Sequence, residues 1–317
     1  MSEFGFDSTA DEVLADQDLT GRTAFITGAY SGLGHETARA MGARGAKLIL
    51  SGRDESKLEA AAKTVGDETG ATVETLVCDL ASLDSVRTAG KEANARFDTI
   101  DLLINNAGVM ACPLSRTADG FELQFGTNHL GHFLLTNMLI PLLEKGDRPR
   151  IVNLSSRGHH LDTVHFDDLN YVEREYDKWE AYGQSKTANI LFTVALEERL
   201  ADKGIHAYAV HPGGIMTNLG RHLEPDDLAN LRKRMESTAG DKGMTFKSIP
   251  QGAATTCWVA TATELEGRGG LYAEDCAVAE QSDTDPTGGV RSYALDKQAA
   301  ERLWSVSEEL VGANFAH

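Results

Sequence analysis

The sequence predicts an α/β fold, a single domain built on one doubly wound sheet of seven parallel strands with helices on both faces. Three observations carry the prediction. From Arg22 onward, short β-rich apolar runs alternate with longer runs of helical periodicity, the pattern of parallel strands joined by crossover helices. The short runs are bounded by Gly, Asp, Asn or Pro, as strand ends are. The composition is ordinary for a globular chain, with 317 residues of which 41% are hydrophobic and 25% charged, enough to bury a sizeable core.

In chain order, strand Thr23–Thr27 precedes helix Leu33–Arg44, and strand Lys47–Ser51 precedes helix Glu55–Glu68. Strand Thr72–Val77 leads to helix Ser82–Arg96, and strand Ile100–Asn105 to the most apolar helix, Gly120–Leu143. Strand Arg150–Ser155, helix Ala181–Asp202, strand His206–Val210, helix Gln251–Ala262, strand Gly270–Ala273 and helix Asp296–Leu310 complete the pattern. Three segments stand outside it. Residues 1–20 form an N-terminal extension to the main domain, 21–317; there Thr9-Ala-Asp-Glu12 has the form of a capping box, so a short helix and a frayed terminus are both open. Residues 157–179 and 213–250 each follow the C-terminal end of a strand, the edge where a doubly wound sheet binds ligands. Long connections at that edge read as an inserted segment and a substrate lid.

Charge and cysteine content narrow the function. The 48 acidic against 30 basic residues give a formal charge of −18, which repels nucleic-acid phosphates and anionic lipid surfaces. Cys78, Cys112, Cys257 and Cys276 follow no zinc-ligand spacing and are expected as reduced thiols in a cytoplasmic protein, with no metal. The acidic N-terminus lacks the basic start and apolar run of a signal peptide. Leu130–Leu143 is too short and too interrupted to span a bilayer, so no membrane anchor is expected. The histidines His159, His160, His165, His129 and His132 lack the carboxylate or cysteine set that would complete a metal site. A homo-oligomer is compatible with the chain.

Between the first strand and the first helix stands Thr27-Gly28-Ala29-Tyr30-Ser31-Gly32-Leu33-Gly34. A turn this tight needs residues tolerant of unusual backbone angles, and a pyrophosphate reaches a helix N-terminus only where no Cβ blocks it. That context points to a dinucleotide. At the close of the second strand, Leu50-Ser51-Gly52-Arg53 puts glycine where an NAD enzyme places a ribose-binding carboxylate, and Arg53 beside it can pair with a 2′-phosphate, the alternative being a solvated surface charge paired with Asp54. NADP(H) is therefore expected over NAD(H), which stays usable. Tyr182 and Lys186 stand at i and i+4 on one helix face, where an ammonium can favour ionisation of a phenol whose free pKa is about 10.

With these motifs the chain resembles the classical short-chain dehydrogenases, which share Thr27-Gly28-(three residues)-Gly32-Leu33-Gly34 and Asn105-Asn106-Ala107-Gly108. The resemblance implies a cofactor held by Gly28, Ser31, Gly32, Leu33 and Gly34, with Asp79 and Leu80 near the adenine and Asn105, Ala107 and Gly108 along the adenosine end. It implies further that Pro212, Gly213, Ile215 and Thr217 face the nicotinamide amide, with Tyr182 and Lys186 also touching the cofactor. Its catalytic set corresponds to Asn128, Ser156, Tyr182 and Lys186; in the family, Ser156 binds the substrate oxygen and Asn128 holds a water linking the lysine to solvent.

Ser156 and Tyr182 are separated by 25 residues, about twice the commonest family gap. That spacing is similar to the retinol-dehydrogenase-like branch, as are His165-Phe166-Asp167-Asp168-Leu169-Asn170, Phe121-Glu122-Leu123-Gln124, His211-Pro212-Gly213 and Gln251-Gly252-Ala253-Ala254. The resemblance runs from residue 9 to about 305 and implies an oxidoreductase acting on a bulky apolar alcohol or ketone, such as a steroid, aromatic or retinoid-like compound. Apolar residues of the lid, Met216, Leu219, Leu223, Leu228, Leu231, Met235, Met244 and Phe246, have spacings compatible with short helices, and periodicity leaves open whether they cover such a substrate or pack the lid against the body. The alternative is a cofactor-sensing regulatory protein without chemistry, which has no reason to keep all four catalytic residues.

Overall fold

The computed structural model describes residues 3–227, 229 and 246–317. The lid residues Leu228, Leu231, Met235 and Met244 lie outside them. Seven strands follow the expected course: β1 (Thr23–Thr27), β2 (Lys47–Gly52), β3 (Val73–Val77), β4 (Leu102–Asn105), β5 (Arg150–Leu154), β6 (His206–His211) and β7 (Leu271–Glu274). They pair in parallel in the order β3-β2-β1-β4-β5-β6-β7. Among the described residues the sheet has eight strands, not the expected seven, because a two-residue strand β8 (Ala277–Val278) turns back antiparallel on β7. The turn between them puts Asp275 and Cys276 in the left-handed region, with φ of 49° and 56°.

Alternation along the strands divides the core into two layers. Ala24, Ile26, Leu48, Leu50, Leu102 and Ile104 face one cluster, with helices α1 (Ala10–Val13), α2 (Gly32–Gly42), α3 (Glu55–Thr69) and α8 (Ile249–Thr261). Phe25, Ile49, Leu103 and Ile151 face the other, with α4 (Leu83–Arg96), α6 (Gly131–Leu143), α7 (Lys178–Leu200) and α9 (Lys297–Val311). The expected helix Gly120–Leu143 starts later and is broken. Buried Glu122 caps a single turn, α5 (Leu123–Phe125), by accepting the amides of Gln124 at 3.0 Å and Phe125 at 2.7 Å, and a π-helical turn at Gly126–Leu130 leads into α6.

The N-terminal extension takes the helical option. Thr9 and Glu12 close a capping box, and Asp11 pairs with Arg39 of α2 at 2.8 Å. On the opposite face, α9 lies over α6 and α7, with the Trp304 ring 5.0 Å from that of Phe133 and Ser307 Oγ 2.8 Å from His129 Nε2. Helix α7 is thus covered on several sides, which explains why the run Ala181–Leu196 is buried all round instead of along a stripe. No helix among the described residues is long and apolar enough to cross a membrane.

Candidate active site

At the C-terminal edge of the sheet, a cleft of about 1590 Å³ opens where β1 and β4 send their connections in opposite directions. That volume exceeds the 300–1,000 Å³ typical of one small ligand and suits a dinucleotide with a second molecule beside it. The glycine turn forms its floor. Gly28 and Gly32 take φ of 65° and 58°, values an L side chain rarely adopts. Ser31 caps α2 in extended conformation with its hydroxyl unused by the helix, leaving it free for a phosphate oxygen.

The second wall comes from β5 and α7. Ser156 follows β5 and caps a short 3₁₀ turn, Arg157–His160, its Oγ accepting the Gly158 amide at 3.0 Å and keeping its own proton for another acceptor. Asp177 caps α7 by accepting the amides of Trp179 at 2.7 Å and Glu180 at 3.0 Å, so the helix starts before the expected Ala181. One turn further on, Tyr182 and Lys186 point into the cleft, each only 4% exposed. The Lys186 ammonium donates to the Leu154 carbonyl at 2.9 Å and stands 5.6 Å from the centre of the Tyr182 ring. Ser155 Oγ donates to the Lys186 carbonyl at 2.8 Å, locking the end of β5 to the helix.

Burial sets the protonation of this pair. Desolvation pushes the Tyr182 phenol up to about 12, partly offset by its contact with the Ser156 hydroxyl, and pulls the Lys186 ammonium down to about 8. Each shift disfavours the charged form.

The comparisons decide the family. The sequence profile of the short chain dehydrogenases matches residues 22–228. The chain belongs to the short-chain dehydrogenase/reductase family. It is 39% identical to short-chain dehydrogenase/reductase prx1 of Penicillium roqueforti over 96% of this chain and 90% of that one. It is 40% identical to human retinol dehydrogenase 14, over 93% and 87% of the two chains. A crystal structure of an uncharacterised protein from Mycobacterium paratuberculosis superposes with a TM-score of 0.74 at 36% identity, covering 98% of this chain and all of that one. L-sorbose reductase from Gluconobacter frateurii, solved with NADPH and L-sorbose, shares the fold at 20% identity, a TM-score of 0.64, and coverage of 82% and 97%. As a short-chain dehydrogenase, the chain is an oxidoreductase of the retinol-dehydrogenase-like branch, acting on a CH–OH or C=O group with a nicotinamide cofactor.

The residues expected at the cofactor and catalytic sites divide into two groups in this dehydrogenase. Gly28, Ser31, Gly32, Leu33, Arg53, Asp79, Leu80, Ala107, Gly108, Pro212, Gly213, Ile215 and Thr217 line the cleft together with Ser156, Tyr182 and Lys186. Asn105, Gly34 and Asn128 do not. Asn105 is turned into the core, where its amide donates to Thr136 Oγ1 and Asn153 Oδ1, both at 2.8 Å; its neighbour Asn106 lines the cleft and donates to the Thr27 carbonyl at 2.8 Å. Gly34 acts beneath the turn, because a Cβ there would come within 2.6 Å of the Gly28 carbonyl.

Asn128 is fully buried, and its side chain is already used. It accepts the Val109 amide at 2.8 Å and donates to the Val109 carbonyl and Ser185 Oγ, both at 2.9 Å. Both N–H donors of the amide are thus taken, and it ties to helix α7 through the Ser185 hydroxyl, which donates to the Tyr182 carbonyl at 2.8 Å. Its backbone carbonyl faces His132, whose Nδ1 donates at 3.0 Å while Nε2 stands 2.9 Å from Thr27 Oγ1. That hydroxyl in turn accepts the amides of Asn106 and Ala107, so the glycine turn and α6 share one buried network.

Several contributors give no motif. A Cβ on Gly158 would stand 2.6 Å from the Tyr182 ring, so the phenol packs directly on backbone. Gln184, between Tyr182 and Lys186, donates to the Leu169 carbonyl at 3.0 Å and accepts the His165 amide at 3.1 Å, anchoring the inserted segment to the catalytic helix. His211 Nδ1 accepts the amides of Arg157 and Gly213, and burial holds its pKa well below the ordinary value, which keeps it neutral and joins the two cleft loops. Asp227 pairs with Lys178 at 2.6 Å, fastening the segment after β6 to the start of α7. Met216, Leu219, Leu223 and Phe246 line the cleft, with Met110, Leu161 and Trp179 adding apolar surface.

Proposed function

We propose that the chain moves hydride between NADP(H), in preference to NAD(H), and a carbonyl or secondary alcohol of a bulky, largely apolar molecule such as a steroid, aromatic or retinoid-like compound. The observation that carries this reading is the convergence of Ser156, Tyr182 and Lys186 with the glycine turn in one cleft. The residues fit the cofactor: Gly28, Ser31, Gly32 and Leu33 would hold the pyrophosphate, Asp79 and Leu80 the adenine, and Pro212, Gly213, Ile215 and Thr217 the nicotinamide. When bound, the nicotinamide supplies or takes the hydride. Ser156 hydrogen-bonds the substrate oxygen, and Tyr182 gives that oxygen a proton in reduction or takes one in oxidation. Lys186 favours ionised tyrosine, and Asn128 acts through Ser185 on the helix carrying both. The apolar cleft lining and the retinol dehydrogenases among the relatives support the lipophilic substrate class.

Steady-state kinetics on a panel from small sugars and short aliphatic ketones to steroids and aryl ketones, followed by cofactor absorbance, tests the substrate class. Highest efficiency is expected on the bulky apolar members; highest efficiency on a small polar one refutes it.

The pH dependence has a defined sign. Lys186 loses its proton at about 8, and the Tyr182–Lys186 pair then holds one proton fewer. Carbonyl reduction from the doubly protonated pair is expected to be flat below that pH and to fall above it. Alcohol oxidation, which runs through the tyrosinate–ammonium form of the singly protonated pair, rises up to that pH and levels off above it. Profiles of kcat/KM in both directions check this; parallel profiles would remove the pair from the proton transfer.

A further inference from the structure

Lys247 is a buried cation that the chemistry above does not use. Its side chain has no solvent exposure, although taking an ammonium out of water costs several kcal/mol unless a charge compensates it. The compensation comes from Asp275 Oδ1 at 2.6 Å, in the left-handed turn between β7 and β8, and among the described residues no acceptor meets the ammonium along a hydrogen-bond axis. The ring of Phe6, from the N-terminal extension, lies 4.8 Å from the ammonium on another side, a cation–π contact. A leucine or methionine would fill this site without the desolvation cost, so the charge needs an explanation.

The stem of Lys247 supplies it. Gly213 has φ of 98° and no Cβ, and a Cβ there would stand 2.7 Å from Lys247 Cδ. The Lys247 amide donates to the Gly214 carbonyl at 2.9 Å, and Ile215 pairs with Lys247 as an isolated parallel bridge. Two residues beyond, Thr217 packs 3.7 Å from the place a Cβ would take on Gly32 of the glycine turn. The loop 213–217 is thus held along one edge by Lys247, whose far end is pinned by Asp275 and Phe6. The extension is tied in again where Gln251 at the start of α8 donates to the Asp7 carbonyl at 3.1 Å.

We infer that Lys247 is a positioning residue for the nicotinamide half of the cofactor, and that Phe6 makes the N-terminal extension part of the same device. The inference rests on the reading that loop 212–217 receives the nicotinamide. With the ammonium unpinned, the loop loses its fixed distance from the glycine turn, and binding weakens where the nicotinamide sits while the adenosine end, on the far side of the glycine turn, keeps its contacts.

The experiment measures two dissociation constants on the full chain: one for NADP(H), and one for adenosine 2′,5′-bisphosphate, which lacks the nicotinamide. Lys247→Met is expected to weaken the dinucleotide about tenfold and the bisphosphate less than twofold. Lys247→Arg should recover most of the loss, and Phe6→Ala should give a smaller loss of the same selectivity. Equal weakening of both ligands, or none of either, overturns the inference and leaves Lys247 a general structural residue. Should Lys247→Met not fold, Phe6→Ala and Asp275→Asn carry the same selective expectation. An unaltered chain that binds the bisphosphate but neither NADP(H) nor NAD(H) overturns the cofactor reading itself, whereas normal binding with unselective variants overturns only the role of Lys247.

Discussion

Tyr182→Phe is expected to lower kcat by about 10²- to 10⁴-fold, the range a positioned general acid or base contributes. Cofactor affinity should stay nearly unchanged. The separation of the two readouts follows from the packing: the ring rests on the backbone of Gly158, and that contact needs no hydroxyl. Phenylalanine keeps the ring, the helix and the cleft wall, and removes only the hydroxyl proposed to meet the substrate oxygen. Lys186→Met should damage both turnover and cofactor binding, because the ammonium proposed to favour tyrosinate also lines the cleft. Initial rates with a competent alcohol, set beside a cofactor-binding titration of each variant, check the pair. A phenylalanine variant keeping more than about a tenth of the unaltered rate would give the proton transfer to another group.

How much of this was legible beforehand depended on whether a feature is local in the chain. The central strands are readable because helices cover both faces and they form short continuous apolar runs, whereas the edge strand β3 buries Leu76 alone. Strand β8 is not readable, since its turn is made by Asp275 and Cys276 in left-handed conformations without the glycine or asparagine that usually marks a hairpin. The early start of α7 was signalled by Asp177, a capping residue, but Trp179 and Glu180 precede the periodic pattern and hide it.

At the site, Ser156, Tyr182 and Lys186 stand where their motifs suggest. Asn105 turns into the core and Asn106 lines the cleft, because neighbouring residues at a strand end point to opposite sides and only the structure shows which side faces the cleft. Gly158 could not be read at all. Its meaning is the approach of a tyrosine 24 residues away in the chain, and no local signal encodes that distance. Lys247 is similar, for a lysine in a polar stretch reads as solvated until Asp275 and Phe6 are brought around it.

Arg53→Ala is expected to reduce kcat/KM with NADP(H) by about ten- to a hundredfold while changing that with NAD(H) less than twofold, the loss of about 1.5–3 kcal/mol for a hydrogen bond between charged groups. Asp54 makes no ion pair with the arginine among the described residues. It caps α3 and pairs with Lys57 at 2.8 Å, leaving Arg53 exposed at the rim with no ion pair or hydrogen bond among the described residues. Lys57 also lines this corner and adds a second positive charge, which the sequence reading did not use. Gly52 has a further reason to lack a side chain, since a Cβ there would stand 2.8 Å from the Tyr30 ring. An aspartate at 52 would therefore have to displace Tyr30 before it could reach a ribose hydroxyl, and Gly52→Asp alone should not convert the enzyme to NAD(H). Because Arg53 is exposed, its attraction to a 2′-phosphate is screened, and the preference should shrink as ionic strength rises. Kinetics with both cofactors across a salt series check all of this: equal efficiencies for the unaltered chain at low salt would end the phosphate role of Arg53, and a preference insensitive to salt would assign it to contacts other than charge.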